Sequence, residues 1–483
     1  MILAVAALIA AEITTTPTPP TAAVWAASDL ARIPPEERDG LFYVWLPPWA
    51  SAQWHHAVAY AANAAISRSG TIQRPTVVAG GWLQRWDLRQ LVPDPQLRPK
   101  VAAELSRLID ADPYFRLQPD GILVPEVEAA IADVADASLI ETLPIIRADW
   151  FIEGSLSSLD GGRYLELRGL ADVTPGEGRT EEEEVLARFG VFRDASIELD
   201  GDRRVGMFRS EVTAKPRQVL ALRGLAGDGW ITDDVFDEDA AALDRHPIYS
   251  LLEPRRRGSE VIVEMPNGLH LFFISDDAGK LLREAPPQLV TDSRVPRPHT
   301  ARLQGGAISC IRCHASEAGL RSCANDVATL LSRDVGVLVE TSVVDSRQAA
   351  DEIAVRFAGR KFDRSLREGR ERYEEAVDQV TGGAMTAAEI GDLLAEIYGR
   401  RRYEPVVPLI ALRELGFERA ESDPSSEALL RELLAPPDVP AGVAVVEDPT
   451  LAALRAGIPV GRADWDRVYA LALARSHARR PDR

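Results

Sequence analysis

The first half of the chain mixes two periods of apolar residues. Residues 50–67 repeat apolar side chains at helical spacing and predict a helix, and residues 101–108 and 126–137 predict two more. Short apolar runs bounded by Pro or Gly predict strands at residues 41–46, 76–79 and 82–88. The pattern indicates a mixed α+β region without a nucleotide-binding glycine motif or a catalytic triad signature.

The strongest strand signals are residues 259–265 and 269–275, which predict an antiparallel hairpin. In the first strand, apolar residues that include Met265 alternate with a more polar face, so Met265 should point to the core. Pro266-Asn267-Gly268 joins the two strands. Because Asn-Gly tolerates positive φ at both turn positions, we expect a tight two-residue turn.

Beyond residue 320 the pattern becomes mainly helical. Residues 347–380 predict one long helix with apolar residues among many charges. Thr386 and Glu389 form a capping box, which predicts the start of the next helix. Residues 406–415 and 464–477 predict two more helices near the end of the chain.

Composition and charge narrow the class of protein. The 483 residues are 46% hydrophobic and 27% charged, which is typical of a globular chain with a sizeable core. The formal net charge of -19 argues against nucleic acid and against anionic membrane surfaces as partners. The same charge favours basic or neutral partners.

The N-terminus is consistent with export from the cytoplasm. Residues 1–11 are an apolar run, and a Thr- and Pro-rich stretch follows at residues 14–21. The run resembles the core of a secretory signal peptide and is too short to cross a bilayer. We therefore predict a leader over residues 1–22, no transmembrane span, and a periplasmic or secreted protein.

Residues 310–314 read Cys-Ile-Arg-Cys-His, the C-x-x-C-H pattern typical of c-type haem attachment. Cys310 and Cys313 lie about one helical turn apart, so both thiols reach the two vinyl groups of one haem. His314 then points its imidazole at the iron, and His is the usual proximal ligand. The spacing predicts one covalent haem c held by Cys310, Cys313 and His314.

Other interpretations of the two cysteines stay open. C-x-x-C is also the pattern of a redox dithiol or of half a zinc site. A zinc ribbon needs a second pair of ligands, whereas only Cys323 is left and no H-x3-5-H pair occurs. A coincidental or degenerate motif, in a binding or structural protein, is the third alternative.

Several stretches resemble large secreted bacterial c-type cytochrome-domain proteins, a mostly uncharacterised family with a single C-x-x-C-H. Residues 258–270 match the family's GGE-x-I-x-x-x-PNGLQ segment, and residues 306–314 match its NG-x-SC-x-x-CH segment. Weaker matches are the RADWF segment at 147–151, a WKSYDF-like stretch at 230–236, and a closing segment at 459–465. The resemblance is patchy but spans much of residues 23–483.

The resemblance implies haem binding and electron transfer outside the cytoplasm, and it names no redox partner. Two departures stand out. His270 replaces the Gln of PNGLQ, and Gly319-Leu320-Arg321 replaces the Gly-Met-Ile that often follows the family's haem His. The second change removes a distal Met at that place.

The C-x-x-C-H motif does not identify the sixth iron ligand. Met385 is the only Met after the motif and follows a glycine pair, so we predict Met385 as the second metal ligand beside His314. Met385 also precedes the capping box, where it would pack as a hydrophobic staple. The alternatives are His270, His299, Met265, Met207 or an open position.

These expectations combine into an α+β protein with a mixed N-terminal domain, a β-hairpin leading into a mainly helical haem domain, and a helical C-terminal region. The predicted divisions are a leader at 1–22 and further segments at 23–245, 246–345 and 346–483. We expect a monohaem electron carrier with an unknown redox partner protein. A peroxidase-like haem enzyme with an open sixth position is the main rival.

Overall fold

The computed structural model describes residues 19–115, 143–158, 162–193, 200–208, 216–225, 227–235, 248, 251, 255–284, 307–315, 317–340, 346–417, 425–436 and 447–478. The helix predicted at 126–137 and most of the predicted leader lie outside these residues.

A small sheet and one helix form the N-terminal layer. The strands are β1 (Leu41–Trp45), β2 (Thr76–Val78), β3 (Leu83–Asp87) and β4 (Ile145–Arg147), in the order β2-β3-β1-β4. Helix α1 (Pro19–Ala31) buries an alanine-rich face against this sheet, with Ala22, Ala26 and Leu30 almost fully buried. Residues 19–22 of the predicted leader therefore belong to α1.

Six of the described helices lie between β1 and the second sheet in chain order. They are α2 (Trp54–Ala61), α3 (Leu88–Leu91), α4 (Arg98–Asp110), α5 (Ala148–Leu156), α6 (Tyr164–Leu167) and α7 (Glu181–Arg188). Helix α2 continues as a π-helix, Ala62–Ile66. The helix expected at 50–67 is confirmed, and Thr180 and Glu183 form a capping box that starts α7.

The second sheet is antiparallel and has seven strands. Its order is β11-β10-β9-β8-β7-β5, and β6 also pairs with β7. The strands are β5 (Val191–Phe192), β6 (Arg204–Met207), β7 (Arg217–Gly224), β8 (Gly229–Asp234), β9 (Gly258–Glu264), β10 (His270–Asp276) and β11 (Leu281–Leu282).

The predicted hairpin is confirmed as β9 and β10, but its turn differs from the expected one. Gly268 N donates to the Met265 carbonyl at 2.8 Å, so Pro266 and Asn267 are the central turn residues. Only Gly268 has positive φ, at 81°. Pro favours the first central position of such a turn, which moves the left-handed residue to the glycine that follows.

Nine helices lie in the described part of the chain after residue 306. They are α8 (Ala307–Ala315), α9 (Asp326–Glu340), α10 (Arg347–Arg356), α11 (Arg360–Thr381), α12 (Ala387–Tyr403), α13 (Pro408–Glu414), α14 (Ser425–Leu433), α15 (Pro449–Arg455) and α16 (Arg462–Ala478). The single helix predicted over 347–380 is wrong, because Gly359 has φ 70° and separates α10 from α11. The capping box at Thr386 is confirmed.

The fold is α+β, as predicted. One main core joins residues of α2, the second sheet, α8, α11 and α12, and a separate core holds the C-terminal helices. None of the helices described is long and apolar enough to cross a bilayer.

Candidate haem-attachment site

Helix α8 carries the whole C-x-x-C-H motif. Ala307, Ile308, Ile311 and Ala315 are buried and hold one face of α8 against the core. Cys310, Cys313 and His314 are only partly buried and follow i, i+3, i+4 spacing, so they share the other face. The structure thus places the three predicted residues together, as one side of one helix.

The opposite face of α8 packs closely on α12. A Cβ placed on Gly391 would lie 2.4 Å from the Ala315 Cβ. The two helix backbones therefore approach closely at Gly391. This contact holds α8 in place on the side opposite to the two cysteines.

The two cysteines are separate thiols, with no disulfide between them. Burial raises the pKa of the Cys310 thiol, and the nearby charges of Glu260 and Cys313 add to the rise. Arg321 Nη1 donates to Cys313 Sγ at 3.3 Å. The raised pKa of Cys310 is the opposite of the lowered pKa that activates one cysteine of a redox dithiol.

His314 is partly buried beside the hairpin. Its ring centroid lies 5.9 Å from that of Phe272 on β10, and burial lowers the pKa of His314. His314 Nδ1 is buried and has no hydrogen-bond partner in the described structure. Burial therefore favours the neutral ring, which is the state that binds iron.

His270 lies on the same strand as Phe272 and is 1% exposed. Its Nδ1 is 3.2 Å from the Gly319 carbonyl oxygen. A carbonyl only accepts hydrogen bonds, so Nδ1 must carry the proton and Nε2 must carry the lone pair. Nε2 is buried and has no hydrogen-bond partner among the residues described. A donor atom of this kind suits a metal ligand.

Aromatic rings hold His270 in place. The ring stacks on Tyr373 with centroids 4.5 Å apart, and Trp230 and Phe272 lie 5.8 and 6.1 Å away. Tyr373 in turn shares a 2.7 Å hydrogen bond with Tyr60 of α2. Burial lowers the pKa of His270 to about 3, and the hydrogen bond to Gly319 only partly opposes this effect.

His314 and His270 share two contact residues, Phe272 and Gly319. Both rings pack on Phe272, and Gly319 N donates to the His314 carbonyl at 3.0 Å while its own carbonyl meets His270. The sequence does not predict that Gly319 contacts His270. The contact depends on the left-handed conformation of Gly319, with φ 79°, and on the packing of distant segments.

The remaining ligand candidates are three methionines and His299. Met385 is 4% exposed in the main core, next to the start of α12, and Thr381 donates to its carbonyl. Met265 is buried against the guanidinium of Arg168, and Met207 is partly buried at the end of β6. His299 lies outside the described residues.

A metal ion held by protein side chains alone usually needs three or more ligands. Among the described residues, no three His, Cys, Asp or Glu side chains are placed to hold a metal ion. Haem iron needs only one or two ligands from the protein, and His314 and His270 each offer a neutral imidazole. Comparison with models of known protein families, with curated proteins and with solved structures found no match to this chain.

Proposed function

We propose that the protein carries one haem c, bound through Cys310 and Cys313, and passes single electrons. The observation that supports this proposal is the shared face of α8, which presents two thiols and one imidazole away from the packed side. His314 serves as the proximal ligand. Its neutral ring lies at the β10 strand, where Phe272 offers an apolar contact.

His270 is our choice for the sixth ligand, in place of Met385. The Gly319 carbonyl holds Nδ1 as the donor, which leaves the Nε2 lone pair buried and available. Met385 has a full structural role in the core beside the capping box and is the rival candidate. Tyr373 and Trp230 restrict rotation of the His270 ring.

A haem with two protein ligands supplies a one-electron couple and leaves no open iron position for peroxide. The residues of the chain fix the ligands and exclude water, since His270 and Phe272 are at most 2% exposed. The net charge of -19 favours a basic or neutral redox partner protein. Haem c is attached outside the cytoplasm, and a leader is predicted from the sequence, so the proposal includes a periplasmic or secreted location.

Production with a cytochrome c maturation system tests the proposal. We expect a pyridine haemochrome spectrum of a haem with both vinyl groups saturated, at one haem per chain. Cys310→Ala with Cys313→Ala should abolish covalent haem, because both thioether bonds are lost. The matched control is Cys323→Ala, which should keep its haem because this cysteine lies outside the motif. Colourless protein, or haem that acid acetone extracts, would contradict the proposal.

A further inference from the structure

Arg168 is a buried arginine without an acidic partner among the described residues. It is only 4% exposed. Three other buried arginines each pair with a carboxylate, namely Arg147 with Asp149, Arg217 with Asp234 and Arg401 with Asp466. A buried guanidinium normally needs such a partner, because desolvating a lone charge costs several kcal/mol.

A second guanidinium lies beside Arg168. Arg68 Nη1 and Arg168 Nη1 both donate to the Ser67 carbonyl oxygen, at 3.2 and 2.9 Å. Within the described structure, the Arg68 side chain otherwise donates only to the carbonyls of Ile66 and Leu167. Burial, and then the charge of Arg168, lower the pKa of Arg68. Two positive charges therefore share one carbonyl oxygen. Among the described residues no carboxylate pairs with either of them, and Arg168 otherwise lies over the ring of Phe189, whose centroid is 5.7 Å from Cζ.

The hydrogen bonds of this pair are incomplete. Arg168 Nε is buried and has no acceptor among the described residues, and its Nη2 contacts only the Met265 sulfur, a weak acceptor. A carboxylate would accept hydrogen bonds from the fork of donors and offset the charge. The geometry therefore indicates a site for a carboxylate.

The arginine pair is close to the proposed haem site. Tyr164 OH accepts a 3.1 Å hydrogen bond from Phe272 N, and Phe272 packs on His314. Arg168 reaches the hairpin directly, because its Nη2 contacts the Met265 sulfur and Met265 N donates to the carbonyl of Leu269, the residue before His270.

We propose that Arg168 and Arg68 form the binding site for a propionate carboxylate of the haem attached at Cys310 and Cys313. This inference rests on the proposed function. Haem carries two propionates, and they are the only anionic groups it brings to its site. The two guanidiniums would provide matching charge in a protein that is otherwise strongly acidic.

Redox titration of the haem-loaded protein against pH tests this inference. Arg168→Gln should keep covalent haem but lower its reduction potential, because loss of a positive charge favours ferric iron. The pKa of the propionate should rise by about one unit, a tenfold change in proton affinity. The pH range in which the reduction potential depends on pH should therefore shift to higher pH. Arg168→Lys should restore most of the wild-type profile because it retains the charge.

Arg188→Gln is the matched control. Arg188 is an exposed arginine on the neighbouring α7 and donates to the Gly169 carbonyl, so its loss should leave the profile unchanged. If Arg168→Gln does not fold, the partly buried Arg68→Gln should shift the profile in the same direction. Haem-loaded variants of both arginines with the wild-type profile would overturn the inference.

Inorganic phosphate distinguishes a haem carboxylate from a free anion. With a propionate in place, phosphate should not raise the Tm of the loaded wild type. A phosphate-dependent rise in Tm that Arg168→Gln removes would show a site for free anions and would overturn the propionate assignment. Wild-type protein without covalent haem would refute the proposed function, whereas an unchanged profile in loaded variants would refute only this inference.

Discussion

At the scale of single residues, the state of His270 depends on one backbone carbonyl. Gly319 presents that carbonyl from a left-handed conformation, and a Cβ at Gly319 would lie 2.7 Å from His270 Nδ1. A side chain at position 319 would therefore disturb both the backbone and the histidine. The glycine allows the close approach that leaves Nε2 as the unprotonated nitrogen.

The identity of the sixth ligand gives a prediction at this scale. His270→Ala should convert the ferric haem from a six-coordinate low-spin form to a high-spin form, because the buried Nε2 donor is lost. Met385→Leu should leave the spectrum unchanged, because it replaces one apolar core residue with another of similar volume. Absorption and electron paramagnetic resonance spectra measure both outcomes.

The far-red sulfur-to-iron band provides the control for this prediction. Wild-type protein should lack the band if His270 is the ligand. A band that disappears in Met385→Leu would show that Met385 binds the iron instead. A high-spin wild type that His270→Ala does not change would favour the open site of a peroxidase-like enzyme.

Short spacing in the sequence is enough to group three of the candidate site residues, whereas His270 could be named only as one of several candidates for the sixth ligand. Cys310, Cys313 and His314 follow from one helical turn. The hydrogen bond that defines His270 reaches Gly319, which is 49 residues away along the chain. That Arg168 lacks an acidic partner is likewise a property of packing, which periodicity does not reveal.

At the scale of elements, the position of α8 depends on its contact with α12. Gly391 leaves room for Ala315, the residue after His314. Glycine in a helix normally costs about 1 kcal/mol relative to alanine. Its presence inside α12 is explained by this close packing.

Gly391→Ala should therefore destabilise the protein, against the usual helix preference. The new Cβ would lie 2.4 Å from the Ala315 Cβ, and overpacking of this kind costs about 1–3 kcal/mol. Urea unfolding of the purified protein measures the free energy of unfolding. The double change Gly391→Ala with Ala315→Gly should recover most of the loss, because it removes the opposing methyl group. A more stable Gly391→Ala single variant would contradict the packing argument.

Helices and strands were predicted correctly where the local sequence signal was strong. The prediction failed where the backbone conformation of a glycine ends a helix. The capping box at Thr386 and the β9–β10 hairpin are local, and both are confirmed. The break at Gly359 escaped prediction because apolar spacing continues across it. Its φ of 70° is accompanied by a hydrogen bond from Gly359 N to the Gly201 carbonyl, a distant contact.

At the scale of the whole molecule, the main core crosses the predicted divisions at 245/246 and 345/346. It joins residues as far apart as Phe42 and Tyr398. The divisions thus follow changes in local pattern, whereas apolar burial connects the segments on either side. Hydrophobic periodicity predicts which residues are buried, and it does not predict which elements they meet.

Charged groups also connect distant parts of the chain. The Arg147 guanidinium, from β4, lies 3.2 Å from the ring centroid of Tyr114 and 3.4 Å from a carboxylate oxygen of Glu414 in α13. Arg462 Nη1 and Trp465 Nε1 of α16 donate to the two oxygens of Glu414, at 2.5 and 2.7 Å. Glu414 therefore links the small N-terminal sheet to the C-terminal helices.

Acid should weaken this link in a defined pH range. Burial raises the pKa of Glu414, but the charges of Arg462 and Arg147 outweigh it and lower the pKa to about 2 from 4.5. Since the folded pKa is lowered, the ionised carboxylate stabilises the fold above pH 4.5, and this contribution is lost as the pH falls towards 2. Glu414→Gln should thus cost about 3 kcal/mol at pH 7 and progressively less below pH 4.5. Urea unfolding across this range, with the exposed Glu427→Gln as control, measures the difference. A cost that stays constant down to pH 2 would mean that the variant loses packing and not charge, because only the charge disappears on protonation.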